Sequence, residues 1–458
     1  MPKMRIYNTL TRGKEDFTPR VPGKAGLYVC GPTVYDYIHI GNARTFTTFD
    51  MVARWLRAQG YEVTYVRNVT DIDDKIIDRA NETGVAFAEL AASMARAFDE
   101  DCARLALLRP DREPHATRYI EAMLELVATL EEKGLAYLAA NGDVYFQVRE
   151  FPGYGKLSRR NLDELRAGER VAVEAAKRDP LDFALWKAAK PGEPSWPSKW
   201  GAGRPGWHLE CSAMAATELG TPVDLHGGAV DLQFPHHENE IAQSEGAGAA
   251  PFTTCWMHGA FLNMDSEKMS KSLGNFFTLR DILAKLDPVQ GGESMRFFFL
   301  RAHYRSEINY NWETLADAGQ SLRGFYATLR EVPPAPAPPD WDNAYCARFR
   351  DAMNDDFDTP VAFAVLHDLR GEVNRTRSRE LAAQLRALGG TIGLLQADAE
   401  AFLKGAGSAL DVEAMIAERH QAKLSGNFEK ADAIRKRLEE AGIILEDKPG
   451  GITAWRRK

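Results

Sequence analysis

One stretch limits what this chain can fold into more than any other: Lys24-Ala-Gly-Leu-Tyr-Val-Cys30, then Gly31-Pro-Thr-Val-Tyr-Asp-Tyr-Ile-His39-Ile-Gly41-Asn42-Ala-Arg44. The first part is a short apolar run, the pattern of a buried strand. Beyond Arg44, Phe46, Phe49, Val52, Ala53 and Leu56 recur at helical spacing, and Gly60 closes the run, so a helix is predicted there. His39, Gly41 and Asn42 fall in the first turn of that helix. Unpaired backbone N–H groups and the positive dipole end make such a turn a seat for phosphate. Gly41 lets a flat ring or a phosphate approach the backbone, and His39 is placed to hydrogen-bond a phosphate oxygen whose charge grows during reaction. A strand followed by an amphipathic helix also occurs throughout α/β proteins, so this stretch alone leaves nucleotide binding and plain packing both open.

A second stretch, Lys268-Met-Ser-Lys271-Ser, followed by Leu-Gly-Asn275, lies far downstream. Two lysines three apart with small hydroxyl residues between them form a compact cation pair, suited to the β- and γ-phosphates of ATP as pyrophosphate departs. A solvated basic loop is the plain alternative for a lone Lys-x-x-Lys. Together, His39-Ile-Gly-Asn42 and Lys268-Met-Ser-Lys271-Ser resemble the paired motifs of class I aminoacyl-tRNA synthetases, in the expected order. The resemblance narrows to the cysteine-specific family through Tyr28-Val-Cys-Gly-Pro-Thr-Val-Tyr35, Asn68-Val-Thr-Asp-Ile-Asp-Asp-Lys75, Gly203-Arg-Pro-Gly-Trp207-His-Leu-Glu-Cys211-Ser, and His226-Gly-Gly-Ala-Val-Asp231 running on to His236-His-Glu-Asn-Glu240. One departure stands out: the general class motif ends in a second histidine, and Asn42 occupies that place. Asparagine can donate a hydrogen bond but cannot carry charge.

The resemblance implies an α/β architecture. A Rossmann-like catalytic domain (1–133 and 204–265) is interrupted by a connective insertion (134–203). The lysine loop and a stem-contact helical region (266–330), a helical-bundle tRNA-binding domain (331–404) and a small α+β anticodon-recognition domain (411–458) follow. Local composition agrees with those divisions. Short β-prone runs such as Asp143-Val-Tyr-Phe-Gln-Val alternate with turns in the insertion, beside a charged loop from Asn161 to Arg178. Glu331-Val-Pro-Pro-Ala-Pro-Ala-Pro-Pro-Asp-Trp341 is too proline-rich for a helix. Gly405-Ala-Gly-Ser408 reads as a second linker.

At 458 residues the chain has room for several domains. Hydrophobic residues at 45% and charged residues at 27% are ordinary for a globular protein, and no stretch approaches a membrane span. A formal net charge of −8 excludes a uniformly basic nucleic-acid binder, so RNA contacts must use local patches. Met1-Pro-Lys-Met-Arg-Ile-Tyr7 lacks the apolar core of a secretion signal, and five scattered cysteines form no disulfide framework. A cytoplasmic monomer is expected. Cys102, Cys255 and Cys346 are assigned to structure.

Spacing alone identifies no metal set. His236 and Glu240 are four apart after Pro235 and would share one helix face, Cys30 ends the first strand, and Cys211 sits where a helix begins. His208 and His237 lie in the same runs. Family resemblance implies Cys30, Cys211, His236 and Glu240 as ligands of one Zn²⁺ per chain. It implies Thr70 and Trp207 beside the L-cysteine substrate. His39, Asn42, Lys268 and Lys271 are implied as the catalytic set, and Gly41, His226, Gly228 and Asp231 join His39 and Lys271 around ATP and its Mg²⁺. Zinc suits such a selection, because shape discriminates cysteine from serine or alanine only weakly, whereas zinc prefers a soft thiolate. The acidic run Asp71, Asp73 and Asp74 is read as helix capping and ion pairing rather than as a metal site.

Val412–Leu424 and Phe428–Ala441 are helical by pattern, and Ile443–Asp447 and Ile452–Trp455 are β-prone. Resemblance implies that Lys423, Phe428, Asp432 and Asp447 meet the anticodon of tRNA(Cys); core packing for Phe428 and solvated faces for the rest are the plain alternative. A related ligase that joins cysteine to an amino sugar would lack this terminal segment. A non-enzymatic zinc- and nucleotide-binding module would not need both phosphate motifs.

Overall fold

The computed structural model describes residues 3–161, 176–264, 267–268, 277–406, 410–447 and 453–457. It divides into two compact units, the first being Met1–Leu279, Phe299–Tyr310 and Ala347–Phe363.

The first unit opens with an antiparallel pair, β1 (Arg5–Asn8) and β2 (Gly13–Asp16). Strand β3 (Lys24–Val29) leads through the Gly/Pro turn into α1 (Ile40–Ala58), and β4 (Glu62–Arg67) returns parallel to β3 with Leu27 opposite Tyr65. Three helices follow: α2 (Asp74–Thr83), α3 (Phe87–Arg104) and α4 (Ile120–Glu132). The insertion forms a four-stranded antiparallel sheet of β5 (Ala136–Leu138), β6 (Val144–Phe146), β7 (Phe183–Ala188) and β8 (Gly203–Pro205), in that order. The chain then re-enters the first sheet through α5 (Trp207–Leu219), β9 (Val223–Ala229), α6 (His236–Ala247) and β10 (Thr253–Gly259).

The central sheet runs β10-β9-β3-β4, all parallel. From β3 the chain moves to one side, to β4; when it returns at β9 it moves to the other side, to β10. The C-terminal ends of β3 and β9 therefore flank the topological switch point, where open α/β sheets leave a crevice. Leu27, Tyr28 and Val29 of β3 are all buried, as expected of a strand covered on both faces.

Helix α1 is buried over almost all of its circumference, from Ala43 to Ala53. That differs from the one-sided face its apolar spacing predicts. The polar positions can be buried because Thr45, Thr47 and Thr48 donate their hydroxyls to the carbonyls of Gly41, Ala43 and Arg44. Asp73 caps α2 by accepting from Lys75 N at 2.9 Å. Asp74 pairs with Lys187 and Arg204, and Asp71 accepts from Thr117 N and Oγ1 at 2.9 and 2.8 Å. The acidic turn serves folding, as the sequence predicts.

Past β10, β11 (Leu262–Met264) pairs antiparallel with β12 (Glu267–Lys268) and parallel with β13 (Ile308–Tyr310).

The second unit comprises Arg280–Phe298, Asn311–Cys346 and Ala364–Lys458. Its long helix Trp312–Glu331 starts with a reciprocal Asn311–Thr314 capping box. The proline-rich stretch after it carries no helix or strand. Tyr326 of that helix stacks on Phe402 with centroids 3.8 Å apart. At the C-terminus, helices Val412–Leu424 and Phe428–Glu440 and the hairpin Ile443–Asp447/Thr453–Arg457 enclose a small core of Val412, Ile434, Leu438, Ile443 and Trp455. No helix among the described residues is long and apolar enough to cross a membrane.

Candidate metal and nucleotide site

At the switch point, Cys30 follows β3 and Cys211 sits one turn into α5, with their Sγ atoms 3.6 Å apart. Glu240 projects from α6 with Oε1 3.5 Å from Cys30 Sγ and 3.0 Å from His236 Nε2. His236 opens α6 and Glu240 lies one turn on, so both point the same way. Two glycines make room for this convergence. A side chain on Gly31 would begin 1.6 Å from the carbonyl oxygen of Asn68, and one on Gly227 would begin 2.1 Å from the ring of Phe49.

All four predicted ligands are buried and lie together. Two further histidines join them. His226 Nε2 is 3.5 Å from Cys30 Sγ, and His237 Nε2 is 3.3 Å from it. The motif implies a place for His226 beside ATP; the structure sets its ring among the thiols. Cys30, His226, His237 and Glu240 form a second convergent tetrad that overlaps the first. The outer ring nitrogens of the α6 histidines are held by separate partners: His236 Nδ1 meets His208 Nδ1 at 2.9 Å, and His237 Nδ1 meets His258 Nε2 at 2.8 Å, with His258 braced on Thr9. Trp207 also stacks on His236, centroids 4.4 Å apart.

Burial, only partly offset by the hydrogen bond from Cys30, pushes the Glu240 carboxyl well above its ordinary range. Burial and the neighbouring Cys211 raise the Cys30 thiol. At Cys211, burial is outweighed by the hydrogen bond from Cys30 and by His236, bringing the thiol to about 7. Burial lowers both His226 and His237 well below the ordinary histidine range, helped by His236 and His258 at His226 and chiefly by His258 and His226 at His237. Glu240 Oε2 lies 3.2 Å from His226 Nε2 without hydrogen-bonding geometry, and His226 Nδ1 also lacks a partner. A buried carboxylate beside two thiols and several neutral imidazoles, with no lysine or arginine among them, carries a large desolvation cost. A divalent ion preferring sulfur and nitrogen removes it, and this donor chemistry is that of zinc. The residues fit the metal.

Beside the thiols, Thr70 donates its hydroxyl to Glu210 Oε2 at 2.7 Å, and Asn68 Oδ1 accepts from Gly31 N at 2.8 Å. Glu210 is fully buried, and its other carboxylate oxygen has no hydrogen-bond partner among the described residues. Sequence reasoning missed Glu210, although it stands next to Cys211 in the run that begins at Gly203.

The stretch that the sequence assigns to phosphate opens α1. His39 is its N-cap: Nδ1 accepts from Asn42 N at 3.2 Å. Residues 277–279 run antiparallel across this cap, with Leu279 N donating to Ile38 O at 2.9 Å and His39 bridged to Thr278. Gly228 sits against His237 and Leu232, and Asp231 is exposed in the short turn Val230–Gln233. Lys268 lies in β12; its side chain and all of Lys271 lie outside the described residues, as does most of the charged loop from Asn161 to Arg178.

In the C-terminal module Phe428 is 66% exposed and Asp432 is exposed. Asp447 accepts two bonds from Arg419, both 2.8 Å, one from Lys423 at 2.9 Å and one from Thr453 at 2.8 Å. These fill its four acceptor positions.

Residues 16–320 match the family described as "tRNA synthetases class I (C) catalytic domain", and residues 348–396 match the DALR domain. Curated relatives named cysteine–tRNA ligase include one from Ralstonia nicotianae, 57% identical over 100% of both chains. Another, from Methylobacillus flagellatus, is 58% identical over 99% of this chain and all of the relative. Among solved structures, Mycobacterium tuberculosis methionyl-tRNA synthetase with methionyl-adenylate aligns over 80% of this chain and 89% of that one, at a TM-score of 0.57 and 17% identity. A leucyl-tRNA synthetase ternary complex from Agrobacterium radiobacter aligns over 94% and 89%, at 0.61 and 12%. At those identities the likeness is one of fold.

Proposed function

The chain belongs to the cysteine–tRNA ligase family of class I aminoacyl-tRNA synthetases, and from that premise we propose how its residues divide the reaction between them. L-cysteine is activated by ATP to cysteinyl-adenylate, and the cysteinyl group is passed to the 3′ end of tRNA(Cys). The convergence of Cys30, Cys211, His236 and Glu240 beside the phosphate-binding start of α1 carries this reading.

Those four residues hold one zinc ion, which when bound supplies a preference for thiolate over hydroxyl and keeps the substrate sulfur deprotonated. Trp207 fixes the ring of His236 by stacking. Thr70, fixed between Glu210 and Asn68, stands beside the bound amino acid.

In activation the cysteine carboxylate attacks the α-phosphorus of ATP, the bond to the β-phosphate oxygen breaks, and pyrophosphate leaves. No protein nucleophile is needed, so the residues act by orientation and charge. His39, Gly41 and Asn42 receive the phosphates at the start of α1. Asn42 contributes hydrogen bonds but no charge, which leaves the cationic share to Lys268 and Lys271. Asp231 and the backbone of His226-Gly-Gly228 serve the nucleoside, and Mg²⁺ accompanies the triphosphate. In transfer, a hydroxyl of the terminal tRNA adenosine attacks the carbonyl carbon and AMP departs.

The C-terminal module reads the anticodon. Phe428 is exposed for base stacking and Asp432 for base amino groups. A base reaches Asp447 by displacing the Lys423 ammonium, which then turns to phosphate. All five cysteines are unpaired thiols, which supports the cytoplasm as the site of action, and the enzyme is proposed to act as a monomer.

The test is cysteine-dependent ATP–pyrophosphate exchange measured against serine and alanine, with zinc quantified on the same sample. Charging of a tRNA(Cys) transcript is then compared with acylation of an amino-sugar acceptor. One zinc per chain, exchange with cysteine alone and charging of the transcript support the reading. Rejection of serine by metal-free protein sinks the zinc role.

A further inference from the structure

We infer that Arg44 is a positioning residue for the activation step: its guanidinium ties the base of the β11–β13 strand pair, and through β11 the strand bearing Lys268, to the phosphate end of α1. This rests on the reading that Lys268 and Lys271 stabilise the departing pyrophosphate.

Arg44 lies on α1, just past His39, Gly41 and Asn42, and is 2% exposed. Its Nη1 donates to the carbonyls of Ala260 and Phe261 at 3.0 and 2.6 Å. Nη2 donates to the carbonyl of His303 at 3.3 Å and to that of Ser306. A buried guanidinium usually faces a carboxylate; this one is spent on four main-chain oxygens from two segments. Ala260 and Phe261 immediately precede β11, and His303 and Ser306 precede its parallel partner β13. The two segments are also joined directly, Ala260 N to Tyr304 O at 2.8 Å and Ile308 N to Phe261 O at 3.3 Å. Strand β11 pairs Asn263 with Lys268. The far end of the lysine loop is pinned to the same helix, by Ile40 N to Phe277 O at 3.4 Å and by the His39–Thr278 bridge.

The lysine segment therefore leaves and rejoins described structure at two places, both tied to the start of α1. The helix proposed to receive the phosphates thus anchors both described ends of the lysine segment. The planar fork of arginine can span two pairs of carbonyls; a lysine ammonium has three donors at one point and cannot. A misplacement of about 1 Å in such an arrangement costs on the order of 100-fold in rate.

The experiment compares full-length, zinc-loaded wild type, Arg44→Lys and Lys271→Ala in cysteine-dependent pyrophosphate exchange. For Arg44→Lys, kcat is expected to fall about 10- to 100-fold, with the KM for cysteine within about twofold. Zinc content stays unchanged, and amide hydrogen exchange accelerates at residues 262–264 and 308–310 but not in β3 or β9. A kcat within about twofold of wild type overturns the inference, as does a loss that appears as raised cysteine KM or lost zinc. Arg44→Gln is the second variant; if neither Arg44→Lys nor Arg44→Gln folds, Arg44 belongs to the core and the inference is overturned. Normal exchange in Lys271→Ala removes the underlying reading, whereas impaired Lys271→Ala beside normal Arg44→Lys removes this inference alone.

Discussion

The sulfur atoms of Cys30 and Cys211 stand 3.6 Å apart although 181 positions separate the two residues in the chain. They meet where the end of β3 faces helix α5. β3 ends at one thiol, the chain builds an entire inserted sheet, and β8 then delivers α5 with the other. Replacing one sulfur by oxygen, as in Cys211→Ser, removes a soft donor without changing shape. The KM for cysteine should rise at least about tenfold while that for ATP stays within about twofold. Steady-state kinetics in both substrates checks this; equal effects would detach Cys211 from amino-acid selection.

Two overlapping tetrads share Cys30 and Glu240, and their outer partners tell them apart. His208 braces His236, and His258 braces His237. Loss of such an outer partner typically weakens metal binding about 10- to 100-fold. If Cys211 and His236 complete the set, His208→Phe should lower zinc affinity by that much and His258→Phe should not. Competition with a chromophoric chelator measures both. The reverse order would place the ion between His226 and His237.

Glu238 lies between the two proposed α6 ligands in sequence but faces the other way. Its carboxylate accepts from Gly155 N, Leu157 N and Ser158 N at 3.0, 3.3 and 2.8 Å, and is itself fully buried. The neighbouring Asn239 accepts from Tyr154, and Lys156 pairs with Glu245. Helix α6 thus holds the loop 155–158 through backbone amides. Glu238→Ala strands two buried donors and one part-buried donor and should cost about 3 kcal/mol, read as a lower thermal midpoint and faster proteolysis between residues 153 and 160. A variant that melts with wild type would show that the loop is held by its other contacts.

Much of this was legible from residue pattern, for reasons that particular elements make plain. The start of α1 announces itself through local signals: a strand, a Gly/Pro turn and apolar spacing. His236 and Glu240 follow from helical periodicity after Pro235. The acidic turn at Asp71, Asp73 and Asp74 reads correctly because capping is a short-range interaction. What stayed hidden depends on strand neighbours and on main-chain partners. His226 sits among the thiols because β9 pairs with β3, and no local pattern encodes which distant strand will arrive alongside. Arg44 could not be singled out because its acceptors are backbone carbonyls, which have no sequence signature. The burial of Thr45, Thr47 and Thr48 escaped for a similar reason, since each hydroxyl is satisfied by its own helix.

The C-terminal hairpin carries a pH dependence whose sign follows from Asp447. Arg419 and Lys423 hold its carboxyl well below the ordinary carboxylate range. A group with a depressed folded-state pKa stabilises at pH above its unfolded value, near 3.9, and loses that contribution as pH falls. Asp447 is nearly half exposed, so solvent screening reduces the effect. Amides 443–447 should lose hydrogen-exchange protection progressively below about pH 4, and Asp447→Asn should flatten that dependence. A profile unchanged by the substitution would assign the acid sensitivity to other carboxylates.

Phe428 opens the second helix of this module and leaves most of its ring in solvent, while Trp455 supplies the aromatic of the small core. A ring left mostly in solvent contributes little to stability, so Phe428→Ala should leave the thermal midpoint nearly unchanged. Stacking on a base is worth about 1–3 kcal/mol, which corresponds to about 5- to 150-fold in affinity for the RNA. The substitution should therefore raise the KM for tRNA(Cys) within that range and leave cysteine-dependent pyrophosphate exchange at wild-type level, because the residues proposed for activation belong to the other unit. Charging and exchange assays on one preparation separate the two steps. If charging is as efficient as in wild type, the exposed ring has no part in recognition, and anticodon reading would fall to Asp432 and to Asp447 once freed from Lys423.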